Sequence, residues 1–225
     1  SQWWREWSPT ANAYGVLGHG WSTNLMARVS DLGSGVAIVT TEDAREIRFT
    51  STTNVDCGAG GTQYAPSVGH YVDHLCKLSG GTWRLREFSG RRLLFDTAGK
   101  LTDIRAKEDG DTSSTQRRIT VQYNGSNLPS SMRLFVDSDT LAADEITFSY
   151  NSNNTLASAT RSSDSKVVTY TYGLGTGKHG RLTKVTFPDS TYREYTYTTE
   201  GFLDLVKDET GKTLHDFDWV SSAYG

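Results

Sequence analysis

The sequence predicts an all-β protein: a twisted antiparallel sheet of consecutive β-hairpins, curled into an open half-shell or partial barrel. Three observations lead there. Thr, Tyr, Val, Phe and Trp dominate the periodic stretches. Ala and Leu never recur at i, i+3, i+4 and i+7 across a helical window. A unit made of an aromatic residue, a turn and a leucine returns along the chain, as in repeat architectures.

The 225 residues suffice for a buried core. Lys+Arg 23 against Asp+Glu 26 leaves a net charge of −3, which supplies no general attraction to nucleic acid or anionic lipid. No apolar run approaches the ~20 residues that cross a bilayer, and the opening SQWWREWSPT lacks a cationic and an apolar signal region. Neither a nucleic-acid partner nor membrane insertion is expected. A start at Ser and an ending VSSAYG read as a mature chain or a piece of something longer.

Taken in order, residues 1–80 are expected to form an opening and capping element, and residues 81–225 a continuous run of hairpins. Trp3, Trp4, Trp7 and Trp21 have two readings. They cover the open end of a sheet that lacks a neighbour, or they form a platform on which sugar rings stack. Capping is preferred, because terminal repeats need a cover. Cys57, His70, His74 and Cys76 follow with spacing C-x12-H-x3-H-x-C. A Cys57–Cys76 disulfide, a zinc site of all four residues, and free thiols all remain open. The disulfide and zinc readings both give the cysteines a loop-holding role.

Phe95-Asp96-Thr97-Ala98-Gly99-Lys100-Leu101 is the first full hairpin unit. Tyr150 to Leu156 and Tyr197 to Leu203 share its spacing, with Asn154 in the place of Gly99 and Gly201. The Gly or Asn marks the positive φ that a tight connection requires, and the aromatic and leucine are placed to meet across the pair. Tyr123 opens a unit one residue short, and Tyr172 reaches Leu182 through a longer loop. From Phe95 through Tyr123, Tyr150 and Tyr172 to Tyr197 the steps are 28, 27, 22 and 25 residues. A lone hairpin cannot bury its face, so such units must stack sideways. Phe95, Leu101, Tyr123, Tyr150, Leu156, Tyr172, Leu182, Tyr197 and Leu203 are the expected repeat core. Val168, Tyr170 and Tyr172 alternate onto one strand face, and Tyr192–Tyr197 reads as another alternating strand. The polar run Lys107–Arg118 is expected to be a loop inserted between units.

These units resemble the YD repeats of the Rhs and YD-repeat protein family, whose core is YDxxGxL; Phe95-Asp96…Gly99-x-Leu101 is nearest to it. Gly15-Val16-Leu17-Gly18-His19-Gly20-Trp21 looks like the GPLGxGW segment that opens the Rhs repeat region, with Ser8-Pro9 ahead of it. Gly81-Thr82-Trp83-Arg84-Leu85 is similar to the stretch that joins the opening to the first repeats. Together these span most of residues 8–219. The resemblance implies a spiralling β-sheet used as a shell around a toxin, or as a scaffold in adhesion receptors. About five units are too few to enclose a cargo. The resemblance implies a secreted or cell-surface bacterial protein whose partner is the rest of a longer chain or a second copy; a glycan is the alternative ligand.

Enzymatic signals are absent from the sequence. GxSxG and HExxH do not occur. Gly175-Thr176-Gly177-Lys178-His179-Gly180 matches GxGxxG as a string, but a strand-like RLTKVTF follows where a dinucleotide site needs a helix. Asp43, Glu87, Asp189 and Glu194 stand beside basic residues and read as surface pairing. No catalytic activity and no cofactor are expected.

Overall fold

The computed structural model describes residues 14–19, 21, 23–42, 45–53, 57–67, 72–106, 117–136, 141–173, 180–199 and 201–218. Trp3, Trp4, Trp7, Asp43, His70, residues 107–116 of the expected loop Lys107–Arg118 and residues 174–179 of the longer loop after Tyr172 lie outside these residues. Arg118, expected in the loop, instead opens a strand, because it pairs with Arg105 and Phe135 on the two neighbouring strands. Strands β1 (Tyr14–Gly15) and β2 (Gly18–His19) pair as a small hairpin of their own. A single 3-10 turn, Asn24–Met26, follows, with Thr23 Oγ1 accepting from the Leu25 N–H at 3.2 Å. Then come β3 (Arg28–Gly33), β4 (Val36–Thr40), β5 (Glu46–Thr52), β6 (Thr62–Pro66), β7 (Val72–Lys77), β8 (Trp83–Glu87), β9 (Arg92–Phe95) and β10 (Leu101–Arg105). The repeat region continues with β11 (Arg118–Tyr123), β12 (Pro129–Phe135), β13 (Asp144–Tyr150), β14 (Leu156–Arg161) and β15 (Val167–Gly173). The last strands are β16 (Arg181–Thr186), β17 (Tyr192–Tyr197), β18 (Leu203–Asp208) and β19 (Thr213–Asp216).

The 17 strands from β3 to β19 form one antiparallel sheet, each beside its neighbour in sequence. Among the described residues no ladder joins β19 to β3. The sheet meets itself through one isolated bridge, Arg28↔Lys100, where the Val29 N–H donates to the Gly99 carbonyl at 2.9 Å. The part of the sheet in Arg28–Arg105 thus turns back on itself, and the 17-strand sheet is not closed into a barrel. The all-β antiparallel class expected from composition and periodicity is the one that forms.

Contacts divide the chain into two compact units, one within Ser22–Thr147 and one made of Ala11–Trp21 with Phe148–Gly225. This partition is not the division at 1–80 and 81–225: the break falls between Thr147 and Phe148, and the hairpin β1–β2 joins the unit of the last strands. In the first unit, alternation along β4 and β5 turns Ala37, Val39, Ile47 and Phe49 inward. They pack with Leu75, Trp83, Leu85, Leu93, Phe95 and Leu101 in one core. Burying side chains of this size contributes about 1.5–3 kcal/mol each. The second unit buries fewer large residues: Leu156, Leu182, Val185 and Val206.

The hairpin connections share one turn. At Asp96, Asn124, Asn151 and Thr198 the N–H donates to the carbonyl four residues on, and the residue three on donates back. That third residue has positive φ: Gly99, Asn127, Asn154 and Gly201. This is a type I turn followed by a left-handed residue, the three-residue hairpin loop. Asp96 Oδ1 accepts from the N–H groups of Ala98 and Lys100, and Asn124 Oδ1 from those of Ser126 and Leu128. The acidic or amide residue after the aromatic is thus a turn cap, satisfying N–H groups that the sheet leaves unpaired.

Four hairpins carry a register shift at the same place. Phe95 pairs with Leu101, Tyr172 with Leu182 and Tyr197 with Leu203, and the ladder slips by one residue beyond each pair. The Tyr123 unit, expected to be one residue short, is of full length: Tyr123 pairs with Pro129, which stands in the leucine's place, with the same slip. A bulge bends its strand and increases local twist, so each of these four hairpins is bent at the same point.

Candidate functional site

The repeat aromatics do more than pack. Tyr123 Oη donates to the Leu101 carbonyl at 2.8 Å, Tyr172 Oη to the Leu156 carbonyl at 2.9 Å, and Tyr197 Oη to the Leu182 carbonyl at 2.6 Å. In every case the phenol of one hairpin reaches the leucine of the hairpin before it. The ladders explain why that carbonyl is available. Pairing of β10 with β11 begins at Asp103, of β14 with β15 at Ser158, and of β16 with β17 at Lys184, each two residues past the leucine. The leucine carbonyl lies beyond the end of its ladder, and the phenol replaces the missing strand donor.

A cation completes two of the three seams. Lys100 Nζ lies 5.1 Å from the centre of the Tyr123 ring, and the Arg181 guanidinium 5.5 Å from that of Tyr197. Both basic residues directly precede the seam leucine, so one strand supplies the carbonyl and the charge together. Burial raises the Tyr123 phenol to about 12, with the Asp96 carboxylate adding to it. Tyr170, Tyr172 and Tyr195 are also raised, in each case chiefly by burial. These phenols stay neutral at ordinary pH, and those of Tyr123 and Tyr172 donate the bonds described.

In the second unit, the opening segment is seated on this seam. The Val16 carbonyl accepts from the Leu156 N–H at 2.6 Å and receives a longer contact from Tyr172 Oη at 3.4 Å. Trp21 Nε1–H donates to Tyr197 Oη at 2.8 Å, and the indole meets Tyr195 edge to face at 4.9 Å. Gly18 is buried at φ +82°, and a Cβ there would lie 2.4 Å from the Gly180 carbonyl oxygen. Glycine is required on two grounds, the left-handed backbone and the close approach of another strand. Gly18 and Trp21 of the GVLGHGW segment thus serve docking.

Of the sequence-expected core residues, Phe95, Leu101, Leu156 and Leu182 are buried, while Tyr123, Tyr150, Tyr172, Tyr197 and Leu203 are half-buried. Trp21, a candidate sugar platform, has Tyr195 against its ring. Trp3, Trp4 and Trp7 lie outside the described residues. Tyr192 is not part of the tyrosine row: it pairs with Thr186, and the Nζ of Lys184, diagonally opposite, is 3.3 Å from its ring centre, beside the Lys184–Glu194 ion pair. The phenol-to-carbonyl bonds were not visible in sequence, though a tyrosine at nearly every repeat position, with phenylalanine only in the first, was a signal for them.

The other candidate groups are structural in placement. Glu87 and Glu42 both bind Arg91, raising that guanidinium. Asp189 caps its own turn, accepting from the Thr191 N–H and hydroxyl, which lowers its carboxyl. Cys57 and Cys76 are joined in a disulfide with Cα atoms 5.4 Å apart. His74 is buried beside them, two residues from Cys76 on β7.

No protein-family model matches the chain, and no curated protein matches it. Among solved structures, it is similar to a chain in the crystal structure of TcdB2-TccC3-Cdc42, at 10% identity and a TM-score of 0.25. That match covers 82% of this chain and 14% of the other, so the chain spans a small part of the length of that neighbour.

Proposed function

We propose that the chain is a non-enzymatic structural scaffold, a shell segment of an exported Rhs/YD-repeat-like protein that serves toxin delivery, adhesion or contact between cells. The observation that carries this reading is the seam. Three successive-hairpin junctions use the same phenol-to-leucine bond, the nearest-neighbour coupling by which a repeat array becomes one surface. The Cys57–Cys76 disulfide suits an oxidising, extracytoplasmic location. As partner we propose the rest of a longer chain or a second copy. Exposed Phe88 and Leu141, at 68% and 81%, and the wholly exposed β19 support one.

The test has two arms. The purified chain is screened with generic ester, peptide and glycoside substrates, and no turnover is expected; turnover lost on substituting a polar residue would overturn the scaffold reading. In the producing cell, removal of residues 81–225 is expected to abolish adhesion or delivery, and unchanged contact behaviour counts against the role. No observation favours the glycan reading.

A further inference from the structure

The strongest feature outside the seam is the buried cluster of Cys57, His74 and Cys76. We propose that, when its disulfide is reduced, this cluster is a binding site for a thiophilic divalent cation such as Zn2+. The inference does not depend on the scaffold reading.

The geometry carries it. One ligand atom from each residue lies within 4.8 Å of the others, and their exposures are 5%, 4% and 0%. His74 and Cys76 alternate along β7 and so face the same side of the sheet, while Cys57 comes from the segment before β6. A tetrahedral zinc site with bonds of about 2.3 Å to sulfur and 2.0–2.1 Å to nitrogen sets its ligand atoms roughly 3.5–3.8 Å apart. Side-chain adjustments of about 1 Å bring the three into that arrangement, with water in the fourth position. The sulfurs part once their bond is broken.

Charge also fits. Two thiolates and a dication sum to zero, and the imidazole joins as a neutral donor, so the loaded site carries no uncompensated charge into the core. The Arg84 guanidinium, 3.8 Å from Cys76 Sγ, favours the thiolate. Reduction by a phosphine breaks the S–S bond with two electrons. Water supplies the phosphine-oxide oxygen and the two thiol protons. Metal uptake then releases one proton from each thiol as two sulfur–metal bonds and one nitrogen–metal bond form.

The test uses the full chain, kept anaerobic with a phosphine reductant and titrated with Co2+. The expected result is one Co2+ per chain, with thiolate charge-transfer bands and the visible bands of a tetrahedral ion, displaced by Zn2+. The oxidised chain is expected to bind none. His74→Gln is expected to weaken binding about tenfold or more, and Cys57→Ser and Cys76→Ser to remove most of the charge-transfer intensity. Absence of a stoichiometric tetrahedral spectrum overturns the site, as does equal affinity in His74→Gln, which would reduce it to two thiols. Circular dichroism accompanies each titration. If reduction or a substitution unfolds the chain, Zn2+ must restore the wild-type spectrum and fail to restore that of His74→Gln; any other pattern also overturns the proposal.

Discussion

Gly81 and Gly99 hold the same position in the same kind of turn, and both belong to the first compact unit. Their φ values are +81° and +77°. Alanine at either site therefore meets the same backbone penalty, about 1–2 kcal/mol for a left-handed residue. The surroundings differ. A Cβ at Gly81 would meet only the Thr97 methyl at 3.5 Å, an ordinary contact. At Gly99 it would lie 1.9 Å from the Val29 carbonyl oxygen and 2.9 Å from its carbon. Backbone cannot swing aside like a side-chain tip, so the two segments must part by roughly 1.5 Å to reach an ordinary contact. Parting removes the Val29-to-Gly99 hydrogen bond, worth about 1 kcal/mol. It also loosens packing around Val29 and Leu101, costing about 1–2 kcal/mol more. Gly99→Ala is expected to destabilise the first unit by about 3–5 kcal/mol, and Gly81→Ala by about 1–2 kcal/mol. Guanidinium unfolding under non-reducing conditions, followed by fluorescence and circular dichroism, measures both. Losses equal within about 0.5 kcal/mol would refute the claim that the curl is held at Gly99.

Tyr197→Phe removes the acceptor of Trp21 Nε1 and the donor to Leu182 together, and is expected to cost about 2 kcal/mol in thermal unfolding; a change under about 0.5 kcal/mol would show that the seam bond contributes little. Tyr123 has a folded pKa of about 12, above its ordinary 10, so its contribution is fully present below pH 10 and lost as pH rises through about 12. Phenolate absorbance should consequently appear together with unfolding above pH 10, and smooth titration of a folded chain would contradict this. Asp31 is lowered first by the Lys77 hydrogen bond and Glu145 first by that of Arg133, so their contributions are present above the ordinary carboxylate range and disappear as pH falls below it. Asp31→Asn should flatten part of that acid loss, and an unchanged acid midpoint would argue against the pairing. Reduction of Cys57–Cys76 opens a loop of sequence separation 19 and is expected to cost about 3 kcal/mol in metal-free buffer, read as a lower guanidinium midpoint; an unchanged midpoint would deny the bridge any part in stability.

Much of the architecture could be read from local signals. Turn residues announce themselves, because a left-handed φ selects Gly or Asn whatever surrounds it, and Gly99, Asn154 and Gly201 stand where the spacing placed them. Alternation along Val167–Tyr172 likewise put Val168, Tyr170 and Tyr172 on the half-buried face. The alternation at Tyr192–Tyr197 was harder, since aromatic residues fall on both faces and nothing local says which one turns inward. Glu194, beside a basic residue in a strand, was expected to pair across strands, and the register supplies Lys184 as its partner. The bulge after each leucine left no sequence signature, for it depends on how one strand's twist accommodates the next.

What the amino-acid order determined alone was the strand class, the turn chemistry and the period, because each arises from interactions among residues a few positions apart. Tertiary structure decided the rest. That Trp21 reaches Tyr197 across a separation of 176 residues, that a phenol takes a carbonyl stranded beyond its ladder, and that Cys57, His74 and Cys76 converge depend on how separate segments pack side by side. Such packing rests on the register and twist of neighbouring hairpins, and no short window of sequence contains them.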